Sequence, residues 1–370
     1  MLAKNNTPFA AIAFEQIHRD GFPMAVITCR ATYDLSEDGV LTLANKQDLV
    51  LSDQYEGDPL KTALLKATDL VPFKPNTDIT VIGSTYAPGG KRSEGWEFGI
   101  EIDGHLRVYR CHGLRNWIPD GKKDDKPIWK MSKTKPIDFA PIDYQYAAGS
   151  SYLNKPNNDP NGLNPIGAPL IDPAYTPEDA IIPVAMIDSE QAPVISPFVA
   201  ALPQGLGPIP PFWHQRARFI GTTDKEWEKQ NFPQLPKDFN YQHYQCASSG
   251  MIWPGFMKGN ETITLHRMRQ GGEPLSFQLP SIQPFAVFDW IDERQATAKL
   301  NLDGVHIDMR SKQAPWKVDI TWRGWAAICP QFFKIDLFMA ELGAPELNKL
   351  LCSNENGLYN PATEHMTEEA

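Results

Sequence analysis

The sequence predicts a mainly β protein with two β-rich subdomains of sandwich or barrel type, long proline-rich loops and a short C-terminal helical segment. Three observations favour this class. The chain has 33 prolines in 370 residues, well above the usual ~5%, so long helices should be scarce. Aromatic residues make up 11% of the chain, which suits strands. Asp-Gly pairs at 103–104 and 303–304 stand between alternating segments, as in tight hairpin turns.

Residues 1–135 are predicted to form the N-terminal β-rich subdomain. Its strands are β-branched, mostly apolar segments bounded by Gly, Pro and Asp turns. Leu60–Thr68 differs, because its apolar spacing is that of a short helix. The predicted strands are Ala25–Tyr33, Val40–Leu43, Asp78–Tyr86, Glu97–Ile102 and Leu106–Tyr109.

Residues 136–211 are predicted to be a proline-rich ordered loop region. They contain 15 prolines in 76 residues, with Asn, Asp and Gly between them. Proline lacks an amide donor and favours extended backbone before it, so helices are unfavourable here. A flexible linker is one interpretation, and a long loop packed on the fold is the other. Aromatic residues favour packing, because exposed linkers rarely hold so many.

Residues 212–330 are predicted to form the C-terminal β-rich subdomain, with residues 296–325 as a meander turning at Asp303-Gly304. Residues 331–352 are predicted to be helical, with a break at Gly343 and Pro345, and residues 353–370 to be a mobile tail. The predicted strands are Arg216–Thr222, Glu261–Arg269, Leu275–Leu279, Phe285–Ile291, Ala296–Leu302, Val305–Arg310 and Lys317–Trp325.

Charge and cysteine content exclude several classes of function. The net charge is −10, which disfavours nucleic acid and anionic membrane surfaces as partners. The N-terminal residues do not have the pattern of a signal peptide, and no apolar run reaches the ~18 residues that span a bilayer. Scattered cysteines indicate reduced thiols and a cytoplasmic protein without a disulfide framework or zinc site. They are Cys29, Cys111, Cys246, Cys329 and Cys352.

No arrangement of residues predicts a catalytic, metal or cofactor site. Cys111 and His112 are adjacent, but neighbours on a strand point to opposite faces. His214, His243 and His266 could meet near Asp224 or Asp238, yet their spacing matches no metal motif. The many carboxylates do not single out the facing pair that a glycosidase needs.

The predicted partner-binding residues lie in a proline-framed aromatic segment. Trp213, Arg216, Asp224 and Trp227 follow Pro208, Pro210 and Pro211, and Trp and Arg are enriched at interface hot spots. The alternative is that both tryptophans fill the core while Arg216 and Asp224 pair beneath a loop. Asn164 and Gly167 are the second candidate contact, although Asn-Pro-Ile-Gly is also typical of a structural turn.

The order of these motifs resembles a family of uncharacterised domains found beside bacterial type VI secretion genes, the effector adaptor or chaperone proteins. The family often has an R-x-F-G-G element where this chain has Tyr144–Gly149. The matching segments are Asp78–Gly90, Leu106–Tyr109, Arg115–Trp117, Asn164–Gly167, Trp213 with Arg216, Gly221–Asp224 with Trp227, Pro233–Phe239, and Trp322–Trp325.

The resemblance implies a non-catalytic adaptor with a secreted effector and the spike tip protein as partners. Aromatic and strand-edge surface would cover an apolar or incompletely folded partner segment and release it on handover. Two alternatives stay open. One is an enzyme that acts on carbohydrate or peptide through an unrecognised carboxylate site. The other is a structural β-module of a phage-tail-like assembly.

Overall fold

Strands dominate the computed structural model, which describes residues 2–155, 162–328 and 332–345. About 44% of this part of the chain is strand and 7% is helix, so the predicted mainly β class is confirmed. No sheet closes into a barrel within the described residues. None of the described helices is long and apolar enough to cross a membrane.

The elements are short and numerous. The first strands are β1 (Leu2–Asn5), β2 (Ala10–Ile17), β3 (Pro23–Leu35), β4 (Leu41–Leu43), β5 (Gln54–Tyr55), β6 (Leu64–Lys66), β7 (Thr77–Ile82), β8 (Ser84–Tyr86), β9 (Gly95–Ile102), β10 (His105–His112), β11 (Asn116–Lys123), β12 (Lys126–Met131) and β13 (Phe139–Pro141). The later strands are β14 (Ala148–Tyr152), β15 (Ala168–Leu170), β16 (Ile182–Pro183), β17 (Ile187–Asp188), β18 (Ile252–Trp253), β19 (Thr262–His266), β20 (Leu275–Gln278), β21 (Ile282–Trp290), β22 (Gln295–Lys299), β23 (Asn301–Asp308), β24 (Trp316–Ala327) and β25 (Phe332–Glu341). The helices are α1 (His214–Ala217) and α2 (Lys225–Gln230), with 3₁₀ turns at Pro88–Gly90, Tyr144–Tyr146, Tyr241–Tyr244 and Ser249–Met251.

A seven-stranded sheet lies at the centre, in the order β18-β7-β23-β24-β3-β2 with β4 paired to β3. Its longest pairing joins β3 to β24 from Leu35↔Trp316 to Met24↔Ala327. Both strands are buried along most of their length. Trp322 stacks on Phe9 with ring centroids 5.9 Å apart. The sheet therefore provides one wall of the main core.

A five-stranded sheet, β17-β10-β9-β19-β20, provides much of the other wall. The predicted β9–β10 hairpin is confirmed, and its turn has positive φ at Asp103 and Gly104. That geometry matches the twist of a two-residue hairpin turn and explains the Asp-Gly pair. Phe98 and Tyr109 stack at 5.5 Å inside the core. The predicted β19–β20 hairpin is confirmed as well.

The predicted C-terminal helix over 331–352 is wrong where the structure describes it. Residues 332–341 form β25, which pairs with β21 and β1 in the sheet β1-β25-β21-β22. Ile335 and Leu337 are fully buried and alternate with less buried residues, a period of two that is typical of a strand. Residues 346–352 and the predicted tail at 353–370 lie outside the described residues.

Three local predictions were also wrong. Leu60–Thr68 is not helical, because Asp58 holds a turn through the amides of Lys61 and Thr62, and β6 then pairs with β5. Arg216–Thr222 is not a strand, since it begins within α1. The predicted meander over 296–325 does not form. Asp303-Gly304 is not a turn, since it lies inside β23 at a register shift. β23 pairs with β24, whereas β22 pairs with β21 in another sheet.

The proline-rich region packs on the fold, as one of its two interpretations predicted. Two small cores hold it, and their buried side chains come from this region and from its neighbours. The first core contains Trp117, Trp129, Ile171, Ile182 and Val184; the second contains Tyr144, Ala147, Ile209 and Trp213. The flexible-linker interpretation is therefore wrong for the described residues.

The strands of the two predicted subdomains belong to the same sheets. β3 pairs with β24, β7 with β23, and β9 with β19. A boundary between residues 135 and 212 therefore does not separate two sets of strands.

Residues 1–135 expressed alone should not fold cooperatively, because β3 loses β24 and β7 loses both of its neighbours, β18 and β23. The full chain should give one cooperative transition, since both halves share the central sheet. Thermal denaturation followed by circular dichroism measures both. A fragment that melts cooperatively near the midpoint of the full chain would contradict this prediction.

Candidate functional site

Trp213 is buried, not displayed on the surface. Its side chain is 2% exposed and meets the ring of Tyr144 edge-on at 5.3 Å, with Ala147 and Ile209 beside it. The predicted partner-binding role of Trp213 is therefore corrected to a core role. The proline-rich segment before Trp213 thus leads into the protein, where this side chain packs on the loop region at Tyr144 and Ala147.

Arg216 is also buried, at 7% exposure. Its Nη1 donates to the carbonyl of Ile209 at 2.7 Å and its Nε to that of His243 at 2.9 Å. These bonds pin α1 to the preceding segment and to the 3₁₀ turn at Tyr241–Tyr244. The interface role predicted for Arg216 is corrected to a positioning role, and Asp224 is not its partner.

Asn164 and Gly167 lock a turn of the proline-rich region. The Asn164 side-chain amide donates to the carbonyls of Tyr144 and Ala148 at 2.8 and 2.9 Å. A Cβ on Gly167 would lie 2.4 Å from the Asn164 amide nitrogen and 2.8 Å from the Ala147 carbonyl oxygen, so only glycine fits. Because Asn164 is fully buried, the structural interpretation replaces the predicted contact role.

Asp224 and Trp227 remain on the surface. The Asp224 carboxylate caps α2 by accepting from the amides of Glu226 and Trp227 at 3.0 and 2.8 Å. Trp227 is half-buried and meets Phe232 edge-on at 5.8 Å, while Phe232 is 66% exposed. Partner binding by Asp224 and Trp227 stays a prediction.

The exposed side of α1 lines a groove of about 450 Å³. His214, Gln215 and Arg218 contribute to its wall together with Leu202 and Ile252. Trp213 lies behind this wall, while Arg216 contributes to the lining and holds α1 through its hydrogen bonds. The predicted segment thus reaches the groove through Arg216 and through three neighbours that the sequence did not single out for partner binding.

A second, apolar pocket of about 270 Å³ adjoins this groove. Both share Ile252 and Pro254, so they form two lobes of one depression, called here the β18 groove. Strand β18 is the edge strand of the seven-stranded sheet. The apolar lobe is lined by Ile79, Ile100, Ile102 and Met251, with Leu106, Arg107 and Trp253 also in its lining.

Cations line the β18 groove. Arg107 lines the apolar lobe, and Arg216 and Arg218 line the other, called here the basic lobe. Neither lobe has an Asp or Glu among its described lining residues. In a chain with a net charge of −10, the groove is a local reversal of sign. Such a reversal favours anionic groups on whatever binds there.

Asp78 positions the segment that leads into the groove. Its carboxylate accepts from the Lys74 ammonium at 2.9 Å, the Gln245 side chain at 2.7 Å, and the amides of Cys246 and Ala247 at 2.8 and 3.1 Å. Burial alone would raise the pKa of Asp78, but Lys74 and the two amides outweigh it and lower that pKa. The carboxylate is therefore ionised and bound on several sides.

A network of buried charges continues through the central sheet. Asp319 accepts from Arg30 Nη2 and Lys66 Nζ, each at 2.7 Å, and from the Thr32 hydroxyl at 2.6 Å. Arg30 also donates to Asp69 at 3.0 Å. Burial opposes ionisation of Asp319, yet Arg30 and Lys66 hold its pKa well below the usual range.

The network has a second pair and a buried imidazole. Arg323 pairs with Asp303, although burial raises the pKa of Asp303 despite its partner. Burial also lowers the pKa of His306 to about 3, so this ring is neutral and bonds the Thr80 hydroxyl at 2.8 Å. The sequence analysis did not identify these residues. The signal that could have found them is charge within otherwise apolar strands, as at Arg30 and Asp319.

Other contacts engage residues of the two arrangements considered in the sequence, the Cys111–His112 pair and the three histidines. Burial raises the pKa of the Cys111 thiol to about 12, and that residue belongs to the main core. The His112 ring instead bonds Asp188 at 2.9 Å. His243 bonds the Arg216 carbonyl and His266 bonds Glu101, so these two rings are engaged separately. No group of three or more His, Cys, Asp or Glu side chains suited to a metal occurs in the described ranges.

The fold and groove define a β-sheet protein with a buried charge network and a two-lobed surface groove around an edge strand. The chain belongs to the family described as an uncharacterized protein conserved in bacteria (DUF2169), whose model matches residues 20–323. No curated protein and no solved structure matches the chain. The family match runs from just before β3 into β24 and includes both lobes. Family membership confirms the coarser part of the resemblance, while its link to type VI secretion stays a prediction.

Replacing Trp213 and Trp227 by Ala should separate core from surface. Trp213→Ala should lower the free energy of unfolding by about 3–5 kcal/mol, because it empties a packed site. Trp227→Ala should cost roughly 1 kcal/mol or less, since the side chain is partly exposed. Urea denaturation measures both. Similar losses for the two variants would contradict the assigned packing.

Asp319→Asn should destabilise the chain by about 3–5 kcal/mol at pH 7, because it removes the buried anion of Lys66 and leaves Arg30 with Asp69 alone. The folded-state pKa of Asp319 is lowered, so its contribution is present above the unfolded value of ~3.9 and is lost as pH falls below it. Urea midpoints between pH 6 and pH 3 should therefore fall less steeply in the variant. Asp48→Asn, at an exposed site, is the matched control. Parallel pH curves for Asp319→Asn and the unmodified chain would remove Asp319 from this role.

Proposed function

We propose that this protein is a cytoplasmic, non-catalytic adaptor or chaperone that binds a type VI secretion effector and assists its loading onto the spike tip complex. The observation that carries the proposal is the β18 groove. An edge strand can accept an extended segment by main-chain pairing, while pockets beside it receive alternate side chains. The resemblance in the sequence supports the assignment to effectors and to the spike tip.

The surface around the groove also favours a protein partner. Leu202 lines the basic lobe and is 55% exposed. The chain just before it exposes Ile195 at 80%, Phe198 at 39% and Val199 at 67%. Contiguous exposed apolar surface of this kind marks interaction sites. An effector that enters the groove would cover this loop too.

The two alternative functions lack a comparable observation. A carboxylate enzyme needs acidic groups facing a cleft, whereas the described lining of the groove has none. Asp78, the nearest buried carboxylate to residues 245–247, is occupied by four donors. A structural module of a phage-tail-like assembly would be permanently incorporated, which purification can test.

Co-expression with the proteins encoded by neighbouring genes should yield a stable complex with one of them. Leu106→Asp should weaken that complex on the order of tenfold or more, because it places a charge in the apolar lobe. Leu60→Asp is the control, since Leu60 is 70% exposed and does not line the groove. Affinity purification with thermal melting of the same preparations measures both.

Three outcomes would contradict the adaptor assignment. The chain alone could turn over a carbohydrate or peptide substrate. It could stay permanently in purified spike or sheath. It could also bind none of the proteins encoded beside it.

A further inference from the structure

We propose that the β18 groove selects an extended acidic segment that carries an apolar side chain, which inserts into the apolar lobe. This inference rests on the proposed function and specifies the chemistry of the effector segment. The binding mode is main-chain pairing with β18, anchoring in one lobe and charge pairing in the other. Each part follows from a different observation.

Arg218 is the cation that is open to a partner. It is exposed in the basic lobe, and its guanidinium lies 4.6 Å from the centroid of the Phe219 ring. Among the described residues no carboxylate oxygen lies within 4.0 Å of its nitrogens, whereas Arg30, Arg110 and Arg310 each pair with an aspartate. Stacking on Phe219 holds the planar group in place for a carboxylate.

Arg107 is the second cation of the groove; it lies in the lining of the apolar lobe, with its guanidinium carbon 5.9 Å from the centroid of the Tyr109 ring. Its side chain packs on Gly250, where an added Cβ would lie 2.6 Å from Arg107 Cζ. Its Nε is shielded from solvent and has no acceptor among the described residues. A buried donor without a partner costs free energy, and a carboxylate entering the groove would satisfy it.

The apolar lobe supplies the anchor site. Ile79, Ile100 and Met251 are each 3% exposed or less, and they line a pocket of about 270 Å³ with Leu106 in its lining. An apolar side chain that fills this pocket stabilises the complex in proportion to the apolar surface that it buries. In an extended segment every second side chain points to the same side. The apolar anchor and the carboxylates must all face the groove, so they occupy every second position of the segment.

The positive charge of the groove determines which kind of segment binds there. A basic segment would gain from the net charge of −10 elsewhere, but in the groove it would meet Arg107 and Arg218 without a carboxylate. Like charges placed together disfavour binding of such a segment. The groove therefore favours the acidic segment even though the rest of the surface favours a basic one.

A synthetic twelve-residue peptide tests the proposal by fluorescence anisotropy. The probe has Leu and Val at alternate positions of its first half, Glu at alternate positions of its second half, and Thr elsewhere. One comparison peptide replaces each Glu by Lys, and a second replaces Leu and Val by Ser. The full chain should bind the probe on the order of tenfold or more tightly than either comparison peptide, with affinity falling as salt rises.

A charge-reversal pair makes the test specific. Arg218→Glu should abolish the preference for the Glu peptide and improve binding of the Lys peptide. Arg92→Glu is the matched control, because Arg92 is exposed and lines neither lobe. It makes the same change in net charge and should leave the preference intact. Thermal melting of both variants verifies that they are folded.

Several results would overturn the inference. They are no binding of the Glu peptide, equal binding of the Lys peptide, and an Arg218→Glu variant that behaves like Arg92→Glu. If the chain associates with itself and Arg218→Glu disrupts this association, the groove binds a second copy of this chain instead. If the chain still captures an effector on co-expression while the peptide tests fail, the proposed function stands and this groove chemistry does not. If no effector is captured either, both are wrong.

Discussion

The buried carboxylate of Asp78 is the interaction on which the rest of the site depends. It lies on β7 in the central sheet and binds the amides of two consecutive residues, Cys246 and Ala247. Without it, residues 245–247 would lose their bonds to the side chain on β7, and the backbone pairing of β18 would remain to hold the segment on the sheet. Removing one member of a buried ion pair leaves the other charge uncompensated, which is costly. Lys74 supplies the compensating charge.

The cost of leaving a buried charge unpaired applies to the other ion pairs of the central sheet as well. Arg30, Lys66, Arg323 and their aspartates sit where apolar side chains would pack as well or better for stability alone. Arg30 on β3 meets Asp319 on β24, and Arg323 on β24 meets Asp303 on β23, so each pair forms in one register of its two strands. A shift by one residue would bury several ions without partners. We interpret the network as a device that specifies strand pairing between distant parts of the chain.

The groove illustrates how a rigid frame presents an adaptable surface. Trp213 and Arg216, the buried residues that the sequence singled out, hold α1 in place, and Arg216 also contributes to the lining of the groove. Exposed residues next to them, His214 and Arg218, line the groove. A pre-organised groove loses less entropy when an extended segment binds, which suits an adaptor that must bind and later release.

Sequence alone determined the class of the fold and its local hairpins. Proline density limits helices wherever it occurs, and Asp103-Gly104 specifies a turn through its own backbone preferences. Such effects act within a few residues, so they can be recognised from a short segment. The strand β25 shows the limit, because its sequence contains both spacings. Ile335 and Leu337 have the period of a strand, whereas Ile335, Phe338 and Met339 have the i, i+3, i+4 spacing of a helix.

Tertiary structure decided the strand partners and the site. β3 and β24 are separated by nearly the whole chain, and no local pattern indicates that they pair. The two lobes bring together β7, β9, β10, α1 and residues 249–254, which are distant in sequence. Trp213 was recognisable as important, but whether an aromatic side chain points inward or outward depends on what packs against it. Burial and charge pairing are properties of neighbours, and only the folded chain determines which residues are neighbours.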